Sequence, residues 1–360
     1  MKIYGSKRSY FTGKLEAYLR HRGIGYELLP TYGNQREVLA GAGTTQMPAV
    51  RLDDGRWMTD SSPIIAWLES QQSAPSLYPA DPFWRFVALL IEDYADEWLW
   101  RPAMHYRWSY LQDRRFVSHS LADEQTAHLK LPRFLRQRMV ARRQLHGFVK
   151  GDGVSAETWD HVEQGYLRPL DALEQIFRAR PFVLGDAPTI ADYGLMAPMY
   201  RHFSQDPTPA EIMRTRAPAV YEWVARMWNA RADGSEPRLI DAVDAPLEAL
   251  LVEACETHLE QLRQNARAFA DGLGRFDQTI QGQRYVQVPC SRYRVWCLEE
   301  LRREWVALDD ATRDRLRAQL PEAHLDVITG DPPPKASGYD PDRQAPFNRG
   351  INVYGKGVPR

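Results

Sequence analysis

Cysteine is almost missing: the 360 residues contain three, Cys255, Cys290 and Cys297, all late in the chain. None belongs to a C-x-x-C pair, which argues against a zinc site or a dithiol redox motif. So small and odd a count suits a reducing cytoplasm rather than a disulfide-stapled secreted fold. A run of about 20 apolar residues, the length a helix needs to cross a bilayer, is also missing. The opening MKIYGSKRSYF carries no apolar stretch of signal-peptide type, so a cytoplasmic protein without a membrane partner is expected. Neither sign of charge is in excess: 46 Lys plus Arg oppose 47 Asp plus Glu. That balance offers no basic footprint for nucleic acid. The nine histidines are scattered without H-E-x-x-H or Cys/His spacing, so no metal is expected. With the charges balanced and no internal repeat, and with the basic run Arg133 to Arg143 read as a solvated helix face, the expected partners are small molecules or proteins.

Aromatic residues, by contrast, are plentiful, eleven of them tryptophan. Residues 1 to 79 alternate strand and helix signals. Lys2 to Tyr4 reads as a strand, and Thr12 to Arg22 as a helix with Leu15, Tyr18 and Leu19 on one face and Gly23 as its stop. Ile24 to Leu29 reads as a second strand, closed by Pro30, and residues 34 to 41 as a short helix or loop. Two further β-prone runs flank Asp53-Asp54-Gly55, a hairpin signal, and a helix follows from about Ser62 to Gln71. The order β-α-β-α-β-β-α predicts a small layered α/β domain. From 80 to 232 strand signals vanish, and an all-α domain of four to six helices is expected. Within it, Trp84 to Trp108 reads as one long run interrupted by Pro102. Residues 233 to 330 predict a mostly helical extension with a brief strand at 285 to 288. From 331 to 360 the chain is Pro- and Gly-rich and reads as extended or disordered, with Tyr339, Phe347 and Tyr354 as possible anchors.

Three loop features fall at strand ends or helix starts of the first domain: Ser9-Tyr10-Phe11-Thr12, Gln46-Met47-Pro48, and Asp60-Ser61. Unpaired N–H groups at such places collect ligands, anions above all. Read alone, each also has a plain structural role. Pro48 suits the first position of an edge strand or a cis bond. Asp60, Ser61 or Ser62 suits a helix N-cap ahead of Pro63, and Ser9 suits an ordinary N-cap.

The order of elements, the Met47-Pro48 step, the Asp60-Ser61 pair and the later GDAPTIADYGL at 185 to 195 together resemble the glutathione transferase superfamily over about residues 1 to 232. The resemblance implies a thioredoxin-like α/β domain, an all-α helical-bundle domain and a homodimer. Glutathione would be the co-substrate and no metal would be needed. It implies that Pro48 is cis and presents the backbone of Met47 to the cysteinyl part of glutathione like an added strand. Asp60 and Ser61 would hold the γ-glutamyl end, and Gln46 is a candidate for the glycyl end. Ser9 stands where serine-type and cysteine-type members of the superfamily carry their thiolate-stabilising residue. Since it is serine, a mixed disulfide with glutathione does not form there, and with no cysteine in the first 254 residues a glutaredoxin-like reductase is disfavoured. Many relatives have proline after this residue whereas this chain has Tyr10, which offers a second hydroxyl, and Thr12 a third. Phe11, Trp100, Met104, Tyr106 and Trp108 are candidates for the wall of an electrophile pocket. Arg101 and Arg107 read as anion-steering or, more simply, solvated residues. Thr189 and Asp192 have capping-box spacing. Two functions follow: an enzyme that activates the glutathione thiolate against a mostly apolar electrophile, or a non-catalytic scaffold or ligand carrier on the same fold.

Overall fold

The computed structural model describes residues 1–73, 75–351 and 353. The chain opens with β1 (Lys2–Gly5), α1 (Tyr10–His21), β2 (Glu27–Pro30), α2 (Gln35–Ala42), β3 (Ala49–Arg51), β4 (Trp57–Thr59) and α3 (Ser61–Glu69). The sheet order is β2-β1-β3-β4, with β1 parallel to β2 and the other pairs antiparallel. This is the expected thioredoxin-like layer, and residues 34 to 41 resolve as helix. Gly23 and Gly55 both take positive φ, at 65° and 88°, a conformation in which a Cβ is unfavourable. They end α1 and turn the β3–β4 hairpin. Alternation along the strands divides the sheet into two faces. Ile3, Val50 and Met58 pack with Leu15, Leu19, Ile64 and Ile65 in the main core. Tyr4 and Ala49 turn the other way, onto Val38 and Ala42 of α2.

The second domain contains α4 (Pro82–Glu97), α5 (Trp100–Ser109), α6 (Leu111–Thr126), α7 (Arg133–Gln144), α8 (Trp159–Ala179), α9 (Ile190–Pro198), α10 (Pro207–Arg216) and α11 (Pro218–Asn229). That is eight helices among the described residues, more than the sequence suggests. α6 and α10 escape the periodicity test because only a narrow stripe of each is buried. The long run from Trp84 breaks at Trp98 and Leu99, not at Pro102. Pro102 stands in the first turn of α5, where a missing N–H leaves no bond unmade. The capping box at Thr189 and Asp192 is formed.

The extension comprises α12 (Ala245–Ala254), α13 (Glu260–Ala270), β5 (Arg275–Ile280), β6 (Gln283–Pro289), α14 (Arg292–Ala307), α15 (Asp310–Gln319) and α16 (Glu322–Thr329). The brief strand expected at 285 to 288 is one arm of the β5–β6 hairpin. Side chains from all three regions form one continuous core, from Leu15 through Tyr94 and Leu170 to Leu250 and Leu298. The described residues of the Pro/Gly-rich tail form no helix or strand, and they run extended over the first domain and α14. The Thr59 N–H donates to the Pro346 carbonyl at 3.0 Å, and the Gly350 N–H to the Ala42 carbonyl at 2.8 Å. Phe347 stands edge-on to Trp67 with ring centroids 5.1 Å apart. Tyr354, the third expected anchor, lies outside the described residues.

Candidate functional site

Strand register brings the three loops together. Tyr4 pairs with Ala49, and Ala49 with Thr59. The chain leaving β1 toward Ser9, the chain entering β3 through Pro48 and the chain leaving β4 into Asp60 therefore meet at one end of the sheet. Antiparallel pairing of β1 with β3 and of β3 with β4 allows no other arrangement.

Ser9 is the N-cap of α1, with its Oγ accepting the Thr12 N–H at 3.3 Å. The residue is partly exposed, and its hydroxyl proton is free of this bond. Nearby charge is mixed, with Arg8 and Arg107 set beside Asp206 and Glu124. Arg107 donates to the Arg8 carbonyl at 2.8 Å, and the half-buried Arg8 guanidinium is pushed below its ordinary pKa by burial and by the charges of Arg107 and Arg201. The helix N-terminus itself favours an anion through its peptide dipoles.

Tyr10 points away from that position. Its hydroxyl donates to the Ala95 carbonyl of α4, and its ring packs against Phe11, Trp100 and His202. Burial drives the phenol far above its ordinary pKa, and with its one proton committed to Ala95 the Tyr10 side chain ties α1 to α4 and not to the Ser9 position. Thr12 is buried as well, facing Gly5: a Cβ at Gly5 would stand 2.5 Å from the Thr12 Oγ1.

The Met47-Pro48 bond is cis. Pro48 is buried, Met47 partly exposed and Gln46 exposed. The Met47 N–H and C=O make no hydrogen bond among the described residues. Gln46 donates its N–H to the Thr44 Oγ1 at 3.2 Å and leaves its amide side chain in solvent. Asp60 caps α3 in position only: it has positive φ, 72°, and no side-chain cap bond. Pro63 accordingly falls at the third helical residue. The N–H groups of Ser61 and Ser62 make no hydrogen bond among the described residues. Ser62 is otherwise committed: its Oγ accepts from Lys14 at 2.9 Å and donates to Glu92. Burial pushes the Asp60 carboxyl up to about 6, opposed first by the Tyr293 phenol and then by the Lys14 charge.

Of the expected pocket wall, the structure brings Phe11 and Trp100 together, stacked at 6.0 Å with ring planes 12° apart and both partly exposed. Phe148 joins them edge-on at 6.1 Å from Trp100. Met104, Tyr106 and Trp108 are buried, and Tyr106 packs into an interior group with Tyr166 and Phe203. Arg101 and Arg107 are neither solvated nor free to steer a substrate. They form buried ion pairs with Asp152 at 3.0 Å and Asp206 at 2.6 Å. Sequence reasoning missed Phe148, Arg8, Lys14 and Tyr293. Only Lys14 left a signal: it shares a helix face with Tyr10 and Tyr18 at i±4.

Two family models match segments of the chain. The model described as glutathione S-transferase, N-terminal domain, matches residues 8–71, and that described as glutathione S-transferase, C-terminal domain, matches residues 156–226. No curated protein matches the chain. Solved structures similar to it include a maleylacetoacetate isomerase from Methylobacterium extorquens with bound malonate and GSH (20% identity, 64% of this chain and 96% of that one, TM-score 0.36). Gtt2 from Saccharomyces cerevisiae is 18% identical over 70% of this chain and 100% of its own, with a TM-score of 0.37. A glutathione S-transferase from Methylobacterium radiotolerans in complex with glutathione sulfonate is 19% identical over 68% and 98%, with a TM-score of 0.39.

Proposed function

Because the chain belongs to the glutathione transferase superfamily, we propose that it binds glutathione at this sheet end and activates the thiol for attack on an electrophilic, mostly apolar small molecule. The observation that carries the reading is the convergence of three kinds of unspent bonding capacity: the Ser9 hydroxyl proton, the Met47 backbone and the N–H groups of Ser61 and Ser62. An extended tripeptide uses all three. The Met47 backbone pairs with the cysteinyl unit, the α3 N-terminus receives the γ-glutamyl carboxylate, Asp60 receives its ammonium, and Gln46 stands near the glycyl end.

In the reaction the thiol proton passes to solvent and Ser9 donates a hydrogen bond to the sulfur anion. The sulfur lone pair then forms the new bond to the electrophilic carbon, and the electron pair of the bond broken there leaves with the departing group or moves onto the acceptor. A free thiol has a pKa near 8.5. One charge-assisted hydrogen bond and the helix dipole act together to lower it. The electrophile would rest against Phe11, Trp100 and Phe148.

Calorimetric titration of glutathione, with ultraviolet absorbance of the bound thiolate followed against pH, tests the reading. Saturable binding with a depressed thiol pKa is expected. Ser9→Ala is expected to raise that pKa and to lower kcat/KM by about 10- to 100-fold, the worth of one hydrogen bond to a charge. Ser9→Thr, which keeps the hydroxyl and the cap, is expected to recover most of it. Absence of glutathione binding would refute the proposal, and binding without a thiolate would favour a non-catalytic carrier. That second reading draws on the cap bond Ser9 already makes to Thr12.

A further inference from the structure

The extension reaches the γ-glutamyl end of the site. Tyr293 of α14 and Tyr339 of the tail stand edge-on with centroids 5.1 Å apart, and Trp296 packs on Tyr339 at the same separation. The Tyr339 hydroxyl donates to the Asp60 Oδ2 at 3.3 Å, and the Tyr293 phenol, packed on Tyr339, faces the same carboxylate. The tail is held at several independent points. Ser337 binds Glu299 through its N–H at 2.7 Å and its hydroxyl at 2.6 Å. Pro346 and Gly350 bond to the first domain, and the Val353 carbonyl accepts the Arg292 N–H at 2.7 Å. The Arg56 guanidinium lies over the Phe347 ring, 4.6 Å from its centroid. A segment fixed at this many places presents its phenol in a defined position.

We propose that Tyr339 and Tyr293 are positioning residues of the γ-glutamyl subsite, holding the Asp60 carboxylate oriented and ionised for the α-ammonium of glutathione. The proposal rests on the glutathione reading above. A carboxylate has about four acceptor positions, so two phenols leave room for an ammonium. The groups facing Asp60 are Lys14 from α1, Glu92 from α4, Tyr293 and Cys297 from α14, and Tyr339 from the tail. Burial and Glu92 favour the neutral acid, whereas the two phenols and Lys14 favour the carboxylate. Burial also drives the Cys297 thiol well above its ordinary pKa, so it contributes no opposing charge.

Full-length Tyr339→Phe and Tyr293→Phe keep the rings and remove only the hydroxyls. Each is expected to weaken glutathione binding by about three- to tenfold at neutral pH, less than the full worth of one hydrogen bond to a charged group because the phenol acts on the ammonium only through Asp60. The acid-side loss of affinity is expected to begin at higher pH than in the wild type, because the carboxylate has lost a donor, while kcat at saturating glutathione stays unchanged. N-acetylglutathione, which lacks the ammonium, is expected to bind wild type and variants alike. Two variants that match the wild type in glutathione affinity and in the position of the acid limb would overturn the proposal and leave the glutathione reading intact. A wild type that binds no glutathione would overturn both.

Discussion

Lys14 is the side chain on which the geometry of the site depends most. Its Nζ is fully buried, bonds Asp96 at 2.5 Å and the Ser62 Oγ at 2.9 Å, and also contacts Glu92. One cation thus ties α1, the start of α3 and α4 around the loops that carry Ser9 and Asp60. Burial drives the Asp96 carboxyl well above its ordinary range, against the opposing Lys14 charge. Lys14→Met leaves two buried carboxylates without a counter-ion, and breaking such a cluster costs about 3–5 kcal/mol. The sign of the pH dependence follows from the raised carboxyl. A group whose folded pKa exceeds its unfolded value costs stability as pH rises through the folded pKa, and losing Lys14 raises that pKa further. The variant is therefore expected to lose less stability at about pH 5 than at about pH 8 in urea unfolding. An equal loss at both would show that the cluster keeps its charge by another route.

At the scale of elements, the capping box shows how local sequence does long-range work. The buried Asp192 carboxylate accepts from the Thr189 N–H at 2.9 Å, the Thr189 hydroxyl at 3.2 Å, the Val183 N–H at 3.0 Å and the Trp223 Nε1 at 3.2 Å. Asp192→Ala strands several buried donors, each worth about 1–3 kcal/mol. A drop of about 3 kcal/mol or more in unfolding free energy is expected, with unchanged glutathione affinity per folded molecule. Thr189-x-x-Asp192 was legible because caps are written in neighbouring residues, as were the α/β order and the three loops, carried by turn residues and periodicity. What was not legible is which way a side chain at a helix start points. Ser9 and Tyr10 are adjacent, yet successive residues are turned by about 100° around the axis, so one faces the sheet end and the other the core. Arg101 and Arg107 read as solvated because Asp152 and Asp206, which bury them, lie far along the chain. The seated tail has no periodicity at all, and its order comes from partners such as Asp60, 279 residues away.

For the whole molecule, that same dependence on distant partners makes the extension part of the fold and not an appendage. Phe86, Asp93 and Glu97 lie along one face of α4, at spacings of seven and four residues. Each has a partner from the extension. Trp305 stands edge-on to Phe86 at 5.7 Å, His258 bonds Asp93 at 2.7 Å, and Arg294 pairs with Glu97 at 3.1 Å. On the far side Arg168 of α8 pairs with Glu253 of α12 at 2.8 Å. Ending the chain at residue 232 would uncover this face of α4 and leave Glu97, already pushed up to about 7 by burial, beside exposed apolar surface. It would also strip the β4 edge of its Pro346 partner, and an open edge strand invites association. The full chain is therefore expected to unfold in one transition, with tryptophan fluorescence and far-ultraviolet circular dichroism coinciding. A chain of residues 1–232 is expected to aggregate or to unfold at a much lower denaturant midpoint. A soluble 1–232 product with the stability of the full chain would show instead that the first two domains fold alone and that the extension only rests on them.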